Sequence, residues 1–149
     1  MADLVETMAE SPNGDLDGLE FNNSVLTDVD LNCKLARGSI FKNISFENVD
    51  LYGSQLDQSH FIGCKFKNVV FIKSSLNGCF ISDCDFENCD FFRAEFIGAK
   101  LHKTNCTSCN FNSATMSDCE LSLVTFYNCT NDGSYIGQNI ESQVTWEST

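Results

Sequence analysis

Large apolar residues recur at every fifth position from Leu16 through Phe21, Leu26 and Leu31 to Phe41, Phe46, Leu51, Leu56, Phe61, Phe66 and Phe71, and on to Ile136. Of the 25 positions in this series, 22 are Leu, Phe, Ile or Met; the exceptions are Ala36, Cys106 and Asn131, and 11 of the chain's 13 Phe fall on it. A helix repeats at 3.6 residues and a half-buried strand at 2, so neither produces this spacing. A second series lies two residues before the first and is small: from Gly14 to Ser134, 21 of 25 sites are Ala, Cys, Ser, Thr or Val. Two positions in every five therefore point inward. The site two after each large residue is Gly or Asn at 13 of 25 places, as at Gly53, Gly63, Asn68 and Gly78, which suits a corner with left-handed backbone. Each unit reads as a short extended side followed by a turn.

The segments C-D-F-E-N, C-D-F-F-R, A-E-F-I-G and A-K-L-H-K over residues 84–103 resemble the pentapeptide-repeat family, whose loose consensus is a small residue, any residue, Leu or Phe, then two polar residues. The resemblance covers residues 14–136. It implies an all-β fold: a right-handed, quadrilateral parallel β-helix with four repeats to a coil. It says little about activity, because one fold hosts many.

Twenty-five repeats at four per coil make about six coils, and layers about 4.8 Å apart give a rod of roughly 30 Å. Each coil buries its face only against its neighbours. Residues 1–13 read as a short N-terminal cap helix with Leu4, Val5 and Met8 on one side, residues 14–136 as the solenoid, and residues 137–149, with Ile140, Val144 and Trp146, as a C-terminal cap or tail. Open sheet ends invite pairing, so caps are expected, and one end is also a candidate homodimer contact. Strict register would point Lys34 inward beside Ala36. Burying an unpaired ammonium is costly, which predicts a local bulge in residues 32–38.

Seven of the nine cysteines (Cys64, Cys79, Cys84, Cys89, Cys109, Cys119, Cys129) occupy small inward positions, so their period explains them as buried thiols. Twenty-residue coils would stack Cys89, Cys109 and Cys129, and Cys64 with Cys84, but parallel Cβ vectors disfavour the disulfide dihedral. Cys106 and Cys109 have C-x-x-C spacing without a second pair or a His pair to complete four ligands. No metal or other cofactor is expected. The odd cysteine count, the lack of an apolar signal segment near Met1 and the lack of a long apolar run fit a reduced, cytoplasmic, soluble protein without a membrane partner. His60 and His102 sit outward with no nucleophile beside them, and Asp83, Asp85, Glu87 and Asp90 lack the spacing of a calcium loop. The chain reads as non-enzymatic.

With 21 acidic and 9 basic residues the formal net charge is −12, which argues against direct binding of nucleic acid or anionic lipid. The Phe-rich, Cys-containing repeats and the sign of the charge resemble the quinolone-resistance members of the family, described as acidic rods that mimic duplex DNA in gyrase and topoisomerase IV. That resemblance implies a protein partner, specifically a DNA-binding enzyme. The chain departs from those members in being short and in lacking projecting loops and a clear C-terminal dimer helix. Its charge is also uneven: residues 1–33 carry eight acids and no base, residues 104–149 five acids and no base, and residues 34–103 eight acids against nine bases. A duplex is negative along its whole length.

Twenty residues separate Tyr52, Ile72 and Phe92, so four-repeat coils place them in one outward apolar stripe, with Val70 beside it and Asp30, Asp50 and Asp90 on the same face. Apolar surface rimmed by charge marks partner sites, although β-propensity alone also favours such residues outside. The two function classes are an acidic inhibitor or protector of a DNA-binding enzyme and a general interaction scaffold using this stripe.

Overall fold

The computed structural model describes Leu4, Thr7 and residues 15–149. Residues 20 apart pair in parallel register throughout, from Phe21 with Phe41 to Phe126 with Trp146, so each coil is four five-residue sides. We label the sides A to D by their inward large residues: Leu56 and Leu76 on face A, Phe41 and Phe61 on B, Phe66 and Phe86 on C, Phe71 and Phe91 on D. Faces B and C carry the strands β1 (Glu20–Asn22), β2 (Val25–Thr27), β3 (Ile40–Lys42), β4 (Ser45–Glu47), β5 (His60–Ile62), β6 (Lys65–Lys67), β7 (Phe80–Ser82) and β8 (Asp85–Glu87). Towards the C-terminal end the sides merge into β9 (Lys100–Thr107), β11 (Glu120–Tyr127) and β13 (Ile140–Glu147), and face A contributes β10 (Thr115–Ser117) and β12 (Tyr135–Gly137). Elsewhere faces A and D are joined by single bridges such as Asp50↔Val70 and Val70↔Asp90.

The corners explain the five-residue period. Every fifth residue from Gly18 to Gln143 has positive φ, 7 of them Gly and 19 not. Asn is the natural L-residue there, because its amide bonds locally and tolerates left-handed backbone. Cys33, Lys73, Arg93, Lys103 and Leu123 adopt the same conformation, imposed by backbone ladders on both sides of each coil. On faces A and D the corner closes as a tight turn, as where Ser54 N–H donates to Leu51 C=O at 3.1 Å and Ser59 N–H to Leu56 C=O at 3.1 Å; positive φ at its third residue makes it type II. At Gly63 a Cβ would lie 2.5 Å from Asn43 Oδ1, so a side chain there requires the Asn43 amide to turn away.

Inside, rings stack along the axis at the coil spacing. Phe46, Phe66 and Phe86 lie nearly parallel with centroids 4.7 and 4.4 Å apart, Phe71, Phe91 and Phe111 at 4.7 and 4.8 Å, and edge-to-face contacts such as Phe61–Phe66 join the columns. Such geometry adds to the area buried. Leu4 is helical and fully buried in this core; the remainder of the expected cap, including Val5 and Met8, lies outside the described residues. Residues 140–147 continue the register as β13, paired with β11 from Glu120↔Ile140 to Tyr127↔Glu147. The last coil is thus built like the others, and Trp146 stacks on Phe126 at 4.0 Å.

The bulge expected at residues 32–38 does not form. Cys33 and Gly38 hold consecutive corners, Leu35 bridges Asp15 and Gln55, and Ala36 N–H donates to Gln55 C=O at 2.9 Å. A bulge would break ladder bonds to two neighbouring coils, whereas a lysine can lay its stem along apolar surface. Lys34 does so: half-buried, it lines a cavity of about 20 Å³ with Leu4, Leu16 and Ala36, where the small Ala36 leaves room.

Candidate functional site on the outward faces

The register brings all seven residues of the expected partner surface onto face D. Asp30, Asp50, Val70 and Asp90 form one bridged column, and Tyr52, Ile72 and Phe92 stand in the next at successive coils: Cys33 N–H donates to Tyr52 C=O, Gly53 N–H to Ile72 C=O and Lys73 N–H to Phe92 C=O. Tyr52 is 38% exposed; Ile72 and Phe92 are half-buried. The aspartates are structural as well as charged. Asp50 Oδ1 accepts from Tyr52 N–H at 2.9 Å, Asp90 Oδ1 from Phe92 N–H at 3.0 Å and Asp30 Oδ1 from Asn32 N–H at 2.9 Å, a local turn for which Asp is selected. Two cations at the adjoining corner complete the surface. Lys73 Nζ lies 5.7 Å from the Tyr52 ring centroid and Arg93 Cζ 5.1 Å from that of Phe92, within cation–π range. Sequence reading missed this pair; the signal was their position 20 apart at consecutive face D corners, beside the stripe.

Face C holds an open hollow of about 660 Å³ over β4, β6, β8 and β9. Its charges alternate by coil, with Glu47 below, Lys65 and Lys67 in the middle, and Asp85 and Glu87 above, so they offset one another. The ion pairs closer than 4.0 Å among the described residues lie elsewhere: Arg37–Asp17, Lys42–Glu20 and Lys100–Glu120.

The cysteines serve the scaffold. Ser39, Ser54, Ser59 and all seven cysteines at small inward sites reach the carbonyl 23 positions earlier, whereas Ser74 Oγ donates to Phe71 C=O: Ser54 Oγ donates to Leu31 C=O at 2.8 Å, Cys64 Sγ to Phe41 C=O at 3.2 Å, Cys79 Sγ to Leu56 C=O at 3.0 Å and Cys84 Sγ to Phe61 C=O at 3.2 Å. The thiol is thus a donor of the right size. All nine cysteines are free, with Cys33 exposed. Burial pushes the Cys79 thiol up to about 12 and the Cys119 thiol up to about 11. Cys84 is raised by the neighbouring Cys64 sulfur and by burial, and Cys106 by Cys109 and by burial. They stay protonated and unreactive near neutral pH. Among the described residues no three His, Cys, Asp or Glu side chains are placed to hold a metal ion, and no helix is long and apolar enough to cross a membrane.

Comparison with known proteins gives a family and a fold. No curated protein matches the sequence. Among solved structures the chain is similar to QnrB1, a plasmid-mediated fluoroquinolone resistance protein, in a trypsin-treated form: 21% identity, 87% of this chain and 77% of that one covered, TM-score 0.47. It is also similar to a pentapeptide repeat protein from the cyanobacterium Cyanothece (16% identity, 95% and 96% covered, TM-score 0.38) and to HetL from the cyanobacterium Nostoc, involved in heterocyst differentiation regulation (15% identity, 97% and 94% covered, TM-score 0.22). The model for pentapeptide repeats matches residues 36–68, 50–88 and 89–128 in eight copies. With that match laid over a corner geometry unbroken from Gly18 to Gln143, the chain belongs to the pentapeptide-repeat family.

Proposed function

We propose that this protein is a non-catalytic, protein-binding solenoid and that it engages its partner through face D. The supporting observation is the column Tyr52, Ile72 and Phe92, with Lys73 and Arg93 set against two of its rings and Asp50 and Asp90 fixed by their own turns. Aromatic anchors concentrate binding energy, and charges already held in place lose little freedom on binding.

A finer reading takes the partner to be a DNA-binding enzyme such as DNA gyrase or topoisomerase IV, which the protein would inhibit or protect as a DNA mimic. The observation favouring it is the charge of the two ends, where residues 1–33 and 104–149 carry thirteen acids (eight and five) and no base. Pairing of two copies through an end would join acidic segments into a longer negative rod. The two readings separate in a supercoiling and drug-induced cleavage assay with the purified protein at rising salt. Mimicry predicts inhibition or protection that fades as salt screens the ends. Binding through face D predicts no such effect, and a partner interaction that tolerates salt and weakens by at least about 2 kcal/mol in Tyr52→Ser/Phe92→Ser.

A further inference from the structure

Face D is laid out in three vertical rows, each with its own chemistry. Acids stand in the first outward row at Asp30, Asp50 and Asp90, the apolar anchors Tyr52, Ile72 and Phe92 in the second, and the cations Lys73 and Arg93 at the corner. Over the whole described face, residues 29–133, one further charge is present, Asp132 on the last coil, so the face carries four acids and two bases. Its balance is negative; what sets it apart is that the two signs are separated across the apolar stripe. The flanks keep this order on the acidic side, where the adjoining corner and row of face C bring Asp28, Glu47 and Glu87 against Lys67. Beyond the cationic corner the next row, on face A, holds Glu95, which accepts from Asn77 Nδ2 at 3.1 Å. Lys73 and Arg93 are exposed, lie against the rings of the stripe and form no ion pair within 4.0 Å among the described residues.

We infer that the occupant of face D is an amphipathic α-helix of the partner, lying along the rod axis with a basic edge over the aspartate row and an acidic edge over Lys73 and Arg93. This rests on face D being the partner surface, and it adds the partner's shape, charge pattern and direction. The three anchors stand on successive coils about 4.8 Å apart and so span about 10 Å. Apolar residues at i, i+3 or i+4, and i+7 of a helix span about 10.5 Å and keep step with them. Alternate residues of an extended segment, about 6.7 Å apart, fall out of step. The width agrees as well: Asp90 and Arg93 are three residues apart, at most about 10 Å of extended chain, close to the roughly 10–12 Å diameter of a helix with its side chains. A helix also presents polar rows on both sides of its apolar stripe, whereas an extended segment turns every second side chain away from the surface. Turning such a helix end for end would set like charges against each other on both edges, so the face selects one direction.

The test uses the full chain and three synthetic peptides of equal length with Leu along one helical stripe. The first carries Lys on one edge and Glu on the other, the second has the edges exchanged, and the third is the first with two central residues replaced by Pro. Binding is read by fluorescence anisotropy, the bound face by amide shifts in NMR, and the direction by line broadening from a spin label at the peptide N-terminus. The first two peptides should bind comparably and shift amides in residues 50–53, 70–73 and 90–93, with the label towards the N-terminal coils for one and towards the C-terminal coils for the other. The Pro peptide should bind at least about tenfold more weakly. Lys73→Glu/Arg93→Glu should weaken the first two by about tenfold and abolish the preferred direction, while Lys100→Glu/Lys103→Glu, the same change of charge on face B, leaves them within about twofold. Equal binding of the Pro peptide, one label position for both edge arrangements, unchanged binding in the Lys73/Arg93 variant or an equal loss in the face B variant would overturn the helix while shifts on face D still upheld that surface. Absence of binding, or shifts centred on another face, would also overturn it, and capture of a cellular partner by a photoreactive group at position 72 then decides separately whether face D is the partner surface.

Discussion

Titrated upward from pH 9, the protein should lose stability steeply and unfold well before its backbone or its ion pairs would require it. The cause is the set of buried thiols. Cys79, Cys84, Cys106 and Cys119 are each 2% exposed or less, and all are raised above the ordinary thiol value of 9.0, with Cys119 at about 11 and Cys79 at about 12. Below that ordinary value both native and unfolded chains hold these protons, and nothing is lost. Above it the unfolded chain releases them and the native chain keeps them, so each further pH unit favours unfolding by about 1.4 kcal/mol per thiol. Cys79 and Cys119, which have no sulfur partner among the described residues, give a slope of about 3 kcal/mol per pH unit up to about pH 11, while the opposite shifts of Cys64 and Cys84 offset one another; this is still a large fraction of any domain's stability. Urea denaturation at a series of pH values measures it. Cys79→Ser and Cys119→Ser should flatten the slope while leaving neutral-pH stability nearly intact, because Ser39 and Ser54 make the same bond to the equivalent carbonyl elsewhere in the rod. An equally steep slope in the double variant would mean that the thiols are not responsible.

The second large effect is Phe66→Ala. Phe66 is 1% exposed, stacks on Phe46 below and Phe86 above, and meets Phe61 and Phe71 across the interior. Truncation removes the buried ring and leaves a cavity that two stacked coils cannot collapse, because their spacing is fixed by the backbone ladders. A cost of about 3 to 5 kcal/mol is expected, read as a fall of roughly 10 °C in Tm for a domain of this size. Trp146→Ala, 39% exposed, should cost clearly less. Similar losses at the two sites would contradict the stacking account and point to a uniform, loosely packed interior.

The fold was legible because a single constraint, one coil per 20 residues, dictates every inward position. Phe at sites 46, 66 and 86 and Cys at 64 and 84 declare both the side and the layer they occupy. The same arithmetic placed Tyr52, Ile72 and Phe92 in one column. What the sequence could not convey depends on forces that period does not encode. Lys34 violates the inward pattern, and its resolution depends on Ala36 leaving room and on ladder bonds that forbid a bulge. Lys73 and Arg93 resemble ordinary corner residues until their side chains are seen folded against Tyr52 and Phe92. The aspartates of face D, read from sequence as a charged rim, are also turn formers, which is why Asp recurs there and Glu does not.

The central claim, that face D engages a protein partner, is tested most directly by photo-crosslinking in the source cells. A photoreactive phenylalanine analogue is placed at Ile72 in the middle of the stripe, or at Lys65 on face C as a control. The account predicts a discrete protein adduct from position 72 that is lost when Phe92→Ser is added, and none of the same mass from position 65. No adduct from position 72, or the same adduct from both positions, would contradict it.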